Sequence, residues 1–306
     1  MKIGIVIVHY NRKDLLRDCL RSVGKIDYPD FCVLVVDNGS EDGSAEMVRD
    51  EFPKTGLLAI GYNSGFCIAN NEGIRRMLEK GCEAVLLLNN DTEVTPDFLK
   101  MMVPALDSGK KIGMIAPKIL LFDKKDLLDS AGIEITPDGL GKNRGFAFQS
   151  SEFHERCEVF CPAGAAALYS KELFLDVVQD RQFLDEDYRF YFEELDLGWR
   201  ARLRGWKCAY VPEAIVYHRK SATAGPYSKL VAYYTNRNIF FNIVKNYPLR
   251  FAVRALVFSA IRYFLLLGGF FFRRGPGYKI KARIGIRDLA AATLKGWADF
   301  LVKLPS

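Results

Sequence analysis

Four short apolar runs, each closed by a cluster of polar residues and separated from the next by a helical pattern, constrain this chain more than any other feature. The runs cover residues 2–8, 31–36, 56–60 and 84–88, and they read as strands. The intervening segments 12–23, 43–51 and 66–80 carry helical periodicity, with Asn11 placed to cap the first of them. Strands that are apolar on both faces and alternate with helices specify a mostly parallel sheet covered on both sides. The fold class expected is therefore α/β.

The middle of the chain is less regular. A helix is expected from Thr95-Pro96 to about residue 106, with Pro96 in its first turn, and a strand over 113–117. Turn residues and charges accumulate over 123–153, which reads as a mobile loop over a site. A helix over 187–204 is ended by Gly205, and a further strand covers 207–211. Three more helices are expected over 228–246, 248–272 and 279–302, broken by Tyr247-Pro248 and Gly275-Pro276-Gly277. The division expected is an α/β domain over 1–225 and a basic, aromatic helical region over 226–306.

Charge sets the two parts apart. The net charge is +6, yet residues 230–306 hold 13 Lys or Arg against 2 Asp or Glu, so the rest of the chain is net acidic. A basic tail calls for an anionic partner. The seven cysteines are scattered and the three histidines too few for a structural zinc site, so reduced thiols in a cytoplasmic protein are expected. The first apolar run is too short for a secretory leader.

In an open parallel sheet, ligands bind beyond the carboxyl ends of the strands. Here those ends carry His9-Tyr10-Asn11, Asp37-Asn38-Gly39-Ser40, Gly61-Tyr62-Asn63-Ser64-Gly65 and Asn89-Asn90-Asp91. Any one of these is an ordinary polar loop; four in succession point to a binding crevice. The first turn has no glycine and the chain has no phosphate-binding glycine loop, so a cation is the expected partner for phosphates. Asp91 directly follows an apolar strand, where a carboxylate reaches Mg2+ or Mn2+ on a diphosphate. Alone, Asp91 reads as an ordinary turn residue before Thr95.

Taken together these residues resemble the inverting family-two glycosyltransferases of GT-A fold, in particular the rhamnosyltransferase-like members that assemble bacterial surface polysaccharides. The resemblance spans about residues 1–240. It rests on Val6-Ile7-Val8-His9-Tyr10-Asn11-Arg12, Val35-Val36-Asp37-Asn38-Gly39-Ser40 with Asp42-Gly43-Ser44, and Asn63-Ser64-Gly65-Phe66 leading to Asn70-Asn71-Glu72-Gly73. It continues in Leu87-Leu88-Asn89-Asn90-Asp91, Pro162-Ala163-Gly164-Ala165 and Phe192-Glu193-Glu194-Leu195-Asp196-Leu197-Gly198-Trp199-Arg200.

The resemblance implies that Asp37 contacts the nucleobase and that the His9-Tyr10-Asn11 turn lines its pocket. Asn63, Gly65 and Asn71 would lie near ribose and phosphate. Asn90 and Asp91 fall within the family's Asp-X-Asp position, where the first aspartate is here an asparagine. Asp91 with His218 would hold Mg2+ or Mn2+. The donor implied is a nucleotide-diphosphate sugar, dTDP-rhamnose first and UDP-hexoses next, and the acceptor a lipid-linked saccharide or polysaccharide. Inverting transfer needs one general base at the acceptor hydroxyl. Glu193, Glu194 and Asp196 are the candidates, and the family pattern favours Glu194. Successive helix residues differ by about 100°, so Glu193 and Glu194 are expected to point apart, while Glu193 and Asp196 share a face. Without the resemblance, three acids in a first helical turn are simply favoured by the helix dipole.

In the tail, Arg250, Arg254 and Arg262 form a loose basic stripe on an otherwise apolar helix, with Lys279, Lys281, Arg283 and Arg287 beyond it. Arginines near the middle oppose a membrane span and suit an interfacial position. Peripheral attachment to the inner face of the plasma membrane is expected, with packing on the catalytic domain or on a second copy as the alternative. Nucleic acid fits poorly, because the aromatics sit inside apolar runs. Two other functions share part of this pattern: a nucleotidyltransferase that makes sugar nucleotides, which needs a glycine-rich first turn, and a non-catalytic membrane adaptor that keeps the fold.

Overall fold

The computed structural model describes residues 1–219, 228–271 and 286–302. Two compact units emerge. One comprises Met1–Glu134, Asn143–Arg189 and Glu193–Lys220; the other comprises Ile135–Lys142, Phe190–Phe192 and Ser221–Ser306.

The first unit is built on one twisted sheet. Strands β1 (Ile3–His9), β2 (Phe31–Asp37), β3 (Gly56–Ala59) and β4 (Ala84–Leu88) run parallel in the order β3-β2-β1-β4. Ile3, Ile5, Val6 and Ile7 are fully buried, as are Val85 and Leu86. This is why the runs carry no polar alternation; each such side chain contributes about 1.5–3 kcal/mol on burial. Helices α1 (Lys13–Val23), α2 (Ser44–Glu51) and α3 (Phe66–Glu79) connect them. Gly73 brings α3 onto the sheet: a β-carbon there would lie 2.3 Å from Val6 Cγ1.

Beyond β4 the expected pattern needs correction. Residues 92–106 split into β5 (Thr92–Val94), α4 (Phe98–Met102) and a short 3-10 turn over Val103–Ala105, because Pro104 cannot donate to a continuing helix. The strand expected over 113–117 is β6 (Ile112–Leu121). Most of 123–153 is ordered rather than a long loop: β7 (Lys124–Ser130) pairs with β6, and β8 (Ile133–Ile135) pairs with β9 (Gly141–Asn143). Strands β10 (Cys157–Val159) and β11 (Ala166–Ser170) follow, then α5 (Lys171–Val177). Strand β11 joins β4 to β6 by antiparallel pairing.

Helix α6 is Glu193–Leu203, shorter than the expected 187–204. Arg189, Tyr191 and Phe192 have φ of 61°, 67° and 69°, a left-handed run that no helix accommodates. The last strand, β12 (Lys207–His218), continues past Val211 through a register shift between Val211 and Ile215 at Pro212. The bulge lets the strand run on to pair with β5.

The second unit's long described elements are the helices α7 (Lys229–Asn246), α8 (Leu249–Phe271) and α9 (Ile286–Val302), beside the non-helical segments 135–142 and 190–192. Ser228 caps α7 by accepting from Val231 N–H at 3.2 Å. Asn238 is fully buried and donates to the Phe190 and Tyr191 carbonyls, each at 2.8 Å. The basic stripe is broken, because Arg262 pairs with Asp138 at 2.6 Å while Arg250 and Arg254 stay exposed. Residues 272–285, with Lys279, Lys281 and Arg283, lie outside the described residues. Among the described residues no helix is long and apolar enough to cross a membrane.

Candidate active site

The carboxyl ends of β1, β2 and β4 are tied together by short polar contacts. His9 closes β1 and is fully buried. Its Nδ1 lies 2.8 Å from Asn90 Nδ2 and its Nε2 lies 2.7 Å from Ser44 Oγ. Burial pulls its pKa down to about 4 against the charge of Asp42, so the ring is neutral. With the Asn90 amide donating to Nδ1, the proton sits on Nε2 and is given to Ser44. His9 is therefore a strut between three loops, not a group that reaches a nucleotide, which corrects its assignment to the binding pocket. The same contact uses one N–H of Asn90.

The turn after β1 is set by backbone strain. Asn11 and Arg12 both have positive φ, 55° and 63°. Asn11 does not cap α1; its N–H donates to Ser40 Oγ at 2.9 Å and its side-chain oxygen accepts from Glu41 N–H at 3.0 Å. Tyr10 stands exposed beside them. Asp37 is buried at the end of β2, where desolvation raises its pKa in spite of the Ser40 N–H that both oxygens accept at 3.3 and 3.4 Å. Asn38 links this loop to the one after β3. Its oxygen accepts from Ser64 N–H at 2.9 Å, and its amide donates to the Gly65 carbonyl at 3.3 Å and to Asn63 Oδ1 at 3.4 Å. Gly39, at φ 82°, lies so close to the Tyr62 backbone that a β-carbon would come within 2.7 Å of it. Gly65 is equally restricted, with Arg189 Cγ 2.6 Å from where its β-carbon would be.

Asn71 is a second correction. It is buried in α3, donates to the Leu184 carbonyl at 2.8 Å and to Glu186 at 3.0 Å, and accepts from Phe183 and Leu184 N–H. All its hydrogen-bonding capacity goes into holding 183–186, so it does not serve ribose or phosphate.

Asp91 and His218 come together because β5 pairs antiparallel with the end of β12, setting Thr92 opposite His218. Asp91 Oδ1 lies 3.3 Å from His218 Nε2. On the other side of the ring, Nδ1 lies 2.6 Å from Asp129 Oδ2 on β7. Burial pulls the His218 pKa down, but the two carboxylates outweigh it and push it up to about 9. Asp129 sits in the segment expected to be a loop; no sequence motif marks it.

These donors fit a divalent cation. A carboxylate oxygen and an imidazole nitrogen bound side by side at about 2.1 Å from one ion stand about 3 Å apart. Asp129 occupies the outer place that fixes the ring and its tautomer at many metal sites. Among the described residues no three His, Cys, Asp or Glu side chains could together hold a metal ion, so a cation at Asp91 and His218 would need further ligands from elsewhere.

The acidic helix reaches the same end of the sheet. Asn89 N–H donates to the Ala165 carbonyl at 2.9 Å. One residue earlier in that turn, a β-carbon on Gly164 would lie 3.7 Å from Glu193 Oε1 and 3.7 Å from Glu194 Cδ. The turn 162–165 thus stands between the Asn89-Asn90-Asp91 loop and the start of α6. Both glutamates approach one glycine, contrary to the expected divergence by 100°, because they open the helix and their long side chains bend toward the same turn. Glu193 is buried, and its Oε2 has no hydrogen-bond partner. Burial, reinforced by the charge of Glu194, raises its pKa far above the carboxylate range. Glu194 is only half buried. Asp196 faces inward and pairs with Arg200 at 2.9 Å, and Arg200 also holds the Val177 and Phe183 carbonyls. Asp196 is therefore part of the core and is withdrawn as a candidate base.

Comparison with known proteins identifies the family and the fold. The sequence profile of Glycosyl transferase family 2 matches residues 4–177. The N-acetylglucosaminyl-diphospho-decaprenol L-rhamnosyltransferase of Mycobacterium tuberculosis is 27% identical over 257 residues, covering 77% of this chain and 82% of that protein. The dTDP-rhamnosyl transferase RfbF of Shigella flexneri is 25% identical over 273 residues, covering 86% and 87%. Among solved structures, the mannosyltransferase PcManGT from Pyrobaculum calidifontis, in complex with GDP-Man and Mn2+, superposes with a TM-score of 0.60 at 16% identity, covering 97% of this chain and 87% of that one. The parallel core, the match over more than half of the sequence and the GT-A neighbours lead to one conclusion: the chain belongs to glycosyl transferase family 2 and is a glycosyltransferase of GT-A fold.

Proposed function

We propose that this inverting transferase moves a deoxyhexose, rhamnose from dTDP-rhamnose, onto a hydroxyl of a lipid-diphosphate-linked saccharide, with Glu194 as general base and Mg2+ or Mn2+ held by Asp91 and His218. The observation that carries the reading is the 162–165 turn, which touches the Asn89-Asn90-Asp91 loop on one side and Glu193 and Glu194 on the other. The two rhamnosyl-transferring relatives support the choice of sugar.

In the reaction the acceptor oxygen attacks the anomeric carbon as the bond to the diphosphate breaks, so configuration inverts. Glu194 takes the proton of the attacking hydroxyl. Burial and the charge of Glu194 raise the Glu193 pKa well above the carboxylate range, which favours its neutral form beside Glu194. Asp129 holds the His218 ring in place, and Asp37 with the Tyr10-Asn11 turn receives the base of the nucleotide. The chemistry supplied by a divalent ion at Asp91 and His218 is neutralisation of charge on the departing diphosphate.

The second unit suits an anionic membrane surface. Leu249, Phe264 and Leu265 on α8 are 80%, 75% and 66% exposed, and Arg250 and Arg254 are exposed on the same helix. An apolar face with flanking arginines binds at the headgroup boundary. This would bring the protein to a lipid-linked acceptor on the cytoplasmic side. Flotation with anionic vesicles, lost with zwitterionic ones, is the expected result.

The transfer is tested by binding and hydrolysis across a panel of nucleotide sugars, with and without Mn2+, for the wild type and Asp91→Ala. Metal-dependent use of dTDP-rhamnose, lost in the variant, is expected. Selective use of a UDP-hexose would overturn the choice of sugar, and no use of any donor would overturn catalysis.

A further inference from the structure

At the end of the sheet opposite the strand-end crevice, three sulfur atoms meet. Cys32, on β2, has its Sγ 3.6 Å from Cys82 Sγ and 3.5 Å from Met77 Sδ. Cys82 Sγ and Met77 Sδ are 4.0 Å apart. The three distances form a nearly equilateral triangle. The point equidistant from all three sulfurs lies about 2.1 Å from each, close to the roughly 2.3 Å of a metal–thiolate bond.

The surrounding residues make room for this triangle. Gly4 on β1 sits directly opposite Cys32 in the sheet register. A β-carbon at Gly4 would lie 2.7 Å from Met77 Cβ and Cγ and 2.9 Å from its Sδ. Any other residue at Gly4 would drive the thioether off the sheet and away from the two thiols. Met77 and Cys82 are fully buried, whereas Cys32 is partly exposed, which leaves one edge open to solvent. The charges of Lys2 and Lys80 act on Cys32, whose Sγ also meets Cys82.

We propose that Cys32, Met77 and Cys82 form a three-coordinate site for a soft monovalent cation of the Cu(I) class. Thiolate and thioether donors select soft ions, and a set of two thiolates and one thioether suits Cu(I) better than Mg2+ or Mn2+. Binding replaces the thiol protons, which pass to solvent, and involves no change of oxidation state. Lys2 and Lys80 offset the one negative charge that two thiolates and Cu(I) leave. The site is chemically separate from the oxygen and nitrogen donors at Asp91 and His218, so the two ions do not compete for one place.

The test uses the full chain, reduced and handled without oxygen, competing for Cu(I) with a chromogenic chelator of known affinity. The wild type is expected to withdraw one equivalent, with at least tenfold weaker uptake in Cys32→Ser and in the near-isosteric Met77→Leu, and no change in Cys157→Ser. Cu(I) should also protect Cys32 from iodoacetamide in the wild type, a readout that needs no variant to fold. No uptake, equal uptake by Cys32→Ser, alkylation of Cys32 at the same rate with and without Cu(I), or tighter binding of Zn2+ than of Cu(I) would each overturn the assignment.

Discussion

The Nδ1 atom of His218 lies 2.6 Å from the Asp129 carboxylate, so a residue at the last position of β12 is held by one from β7. That contact turns the opposite ring nitrogen to Asp91. Removing an outer partner of this kind lowers metal affinity by about 10–100-fold. Asp129→Asn is therefore expected to raise the Mn2+ concentration needed for half-maximal donor turnover by roughly that factor. Turnover at saturating Mn2+ should be largely recovered, and a Mn2+ titration of turnover measures both.

Loss of a positioned general base slows transfer by about 10²–10⁴-fold. Glu194→Gln should lose this much in kcat while donor binding, measured by calorimetry, stays near that of the wild type. Glu193→Gln should lose far less, since burial and Glu194 favour the neutral form of its carboxyl. An equal loss in both variants would move the base to the pair as a unit.

Glu193 also sets a pH dependence of stability. Its pKa is raised in the folded protein by burial and by Glu194, whereas the unfolded chain titrates near pH 4.3. The folded state therefore binds the proton more tightly. The contribution is fully present below about pH 4 and is lost as pH rises through the raised folded value. Glu193→Gln should flatten the decline in melting temperature on the alkaline side, in scans from pH 5 to 9.

In the helical unit, Asn238 satisfies the Phe190 and Tyr191 carbonyls from a fully buried position. Asn238→Ala leaves both half-buried carbonyls without that donor, at up to about 1–3 kcal/mol each. A lower urea midpoint is expected, and Asn238→Asp should not restore it because a carboxylate cannot donate.

The close approach of α3 to the sheet gives a simpler test. Gly73→Ala would place a methyl 2.3 Å from Val6 Cγ1. Overpacking of this kind costs about 1–3 kcal/mol, to be read as a drop in unfolding free energy. Gly73→Ala with Val6→Ala should recover part of it.

The sheet and the strand-end loops were legible in the chain itself. Unbroken apolar runs such as Ala84–Leu88 have one economical solution, burial on both faces, and polar residues that follow them must emerge at the carboxyl ends. What the sequence could not show were contacts between segments far apart. Asp129 and His218 are separated by 89 residues, and nothing local marks Asp129 as a partner. The withdrawal of His9, Asn71 and Asp196 from the candidate set has the same origin. A polar residue in a motif reads alike whether its side chain faces a cleft or the core, and only packing decides which. The length of β12 is a third case. Pro212 looks like a strand end, yet the sheet absorbs it as a bulge, and six residues later His218 stands beside Asp91. Local patterning determined which elements form; tertiary pairing decided which of their side chains meet, because burial and register are properties of the assembled sheet.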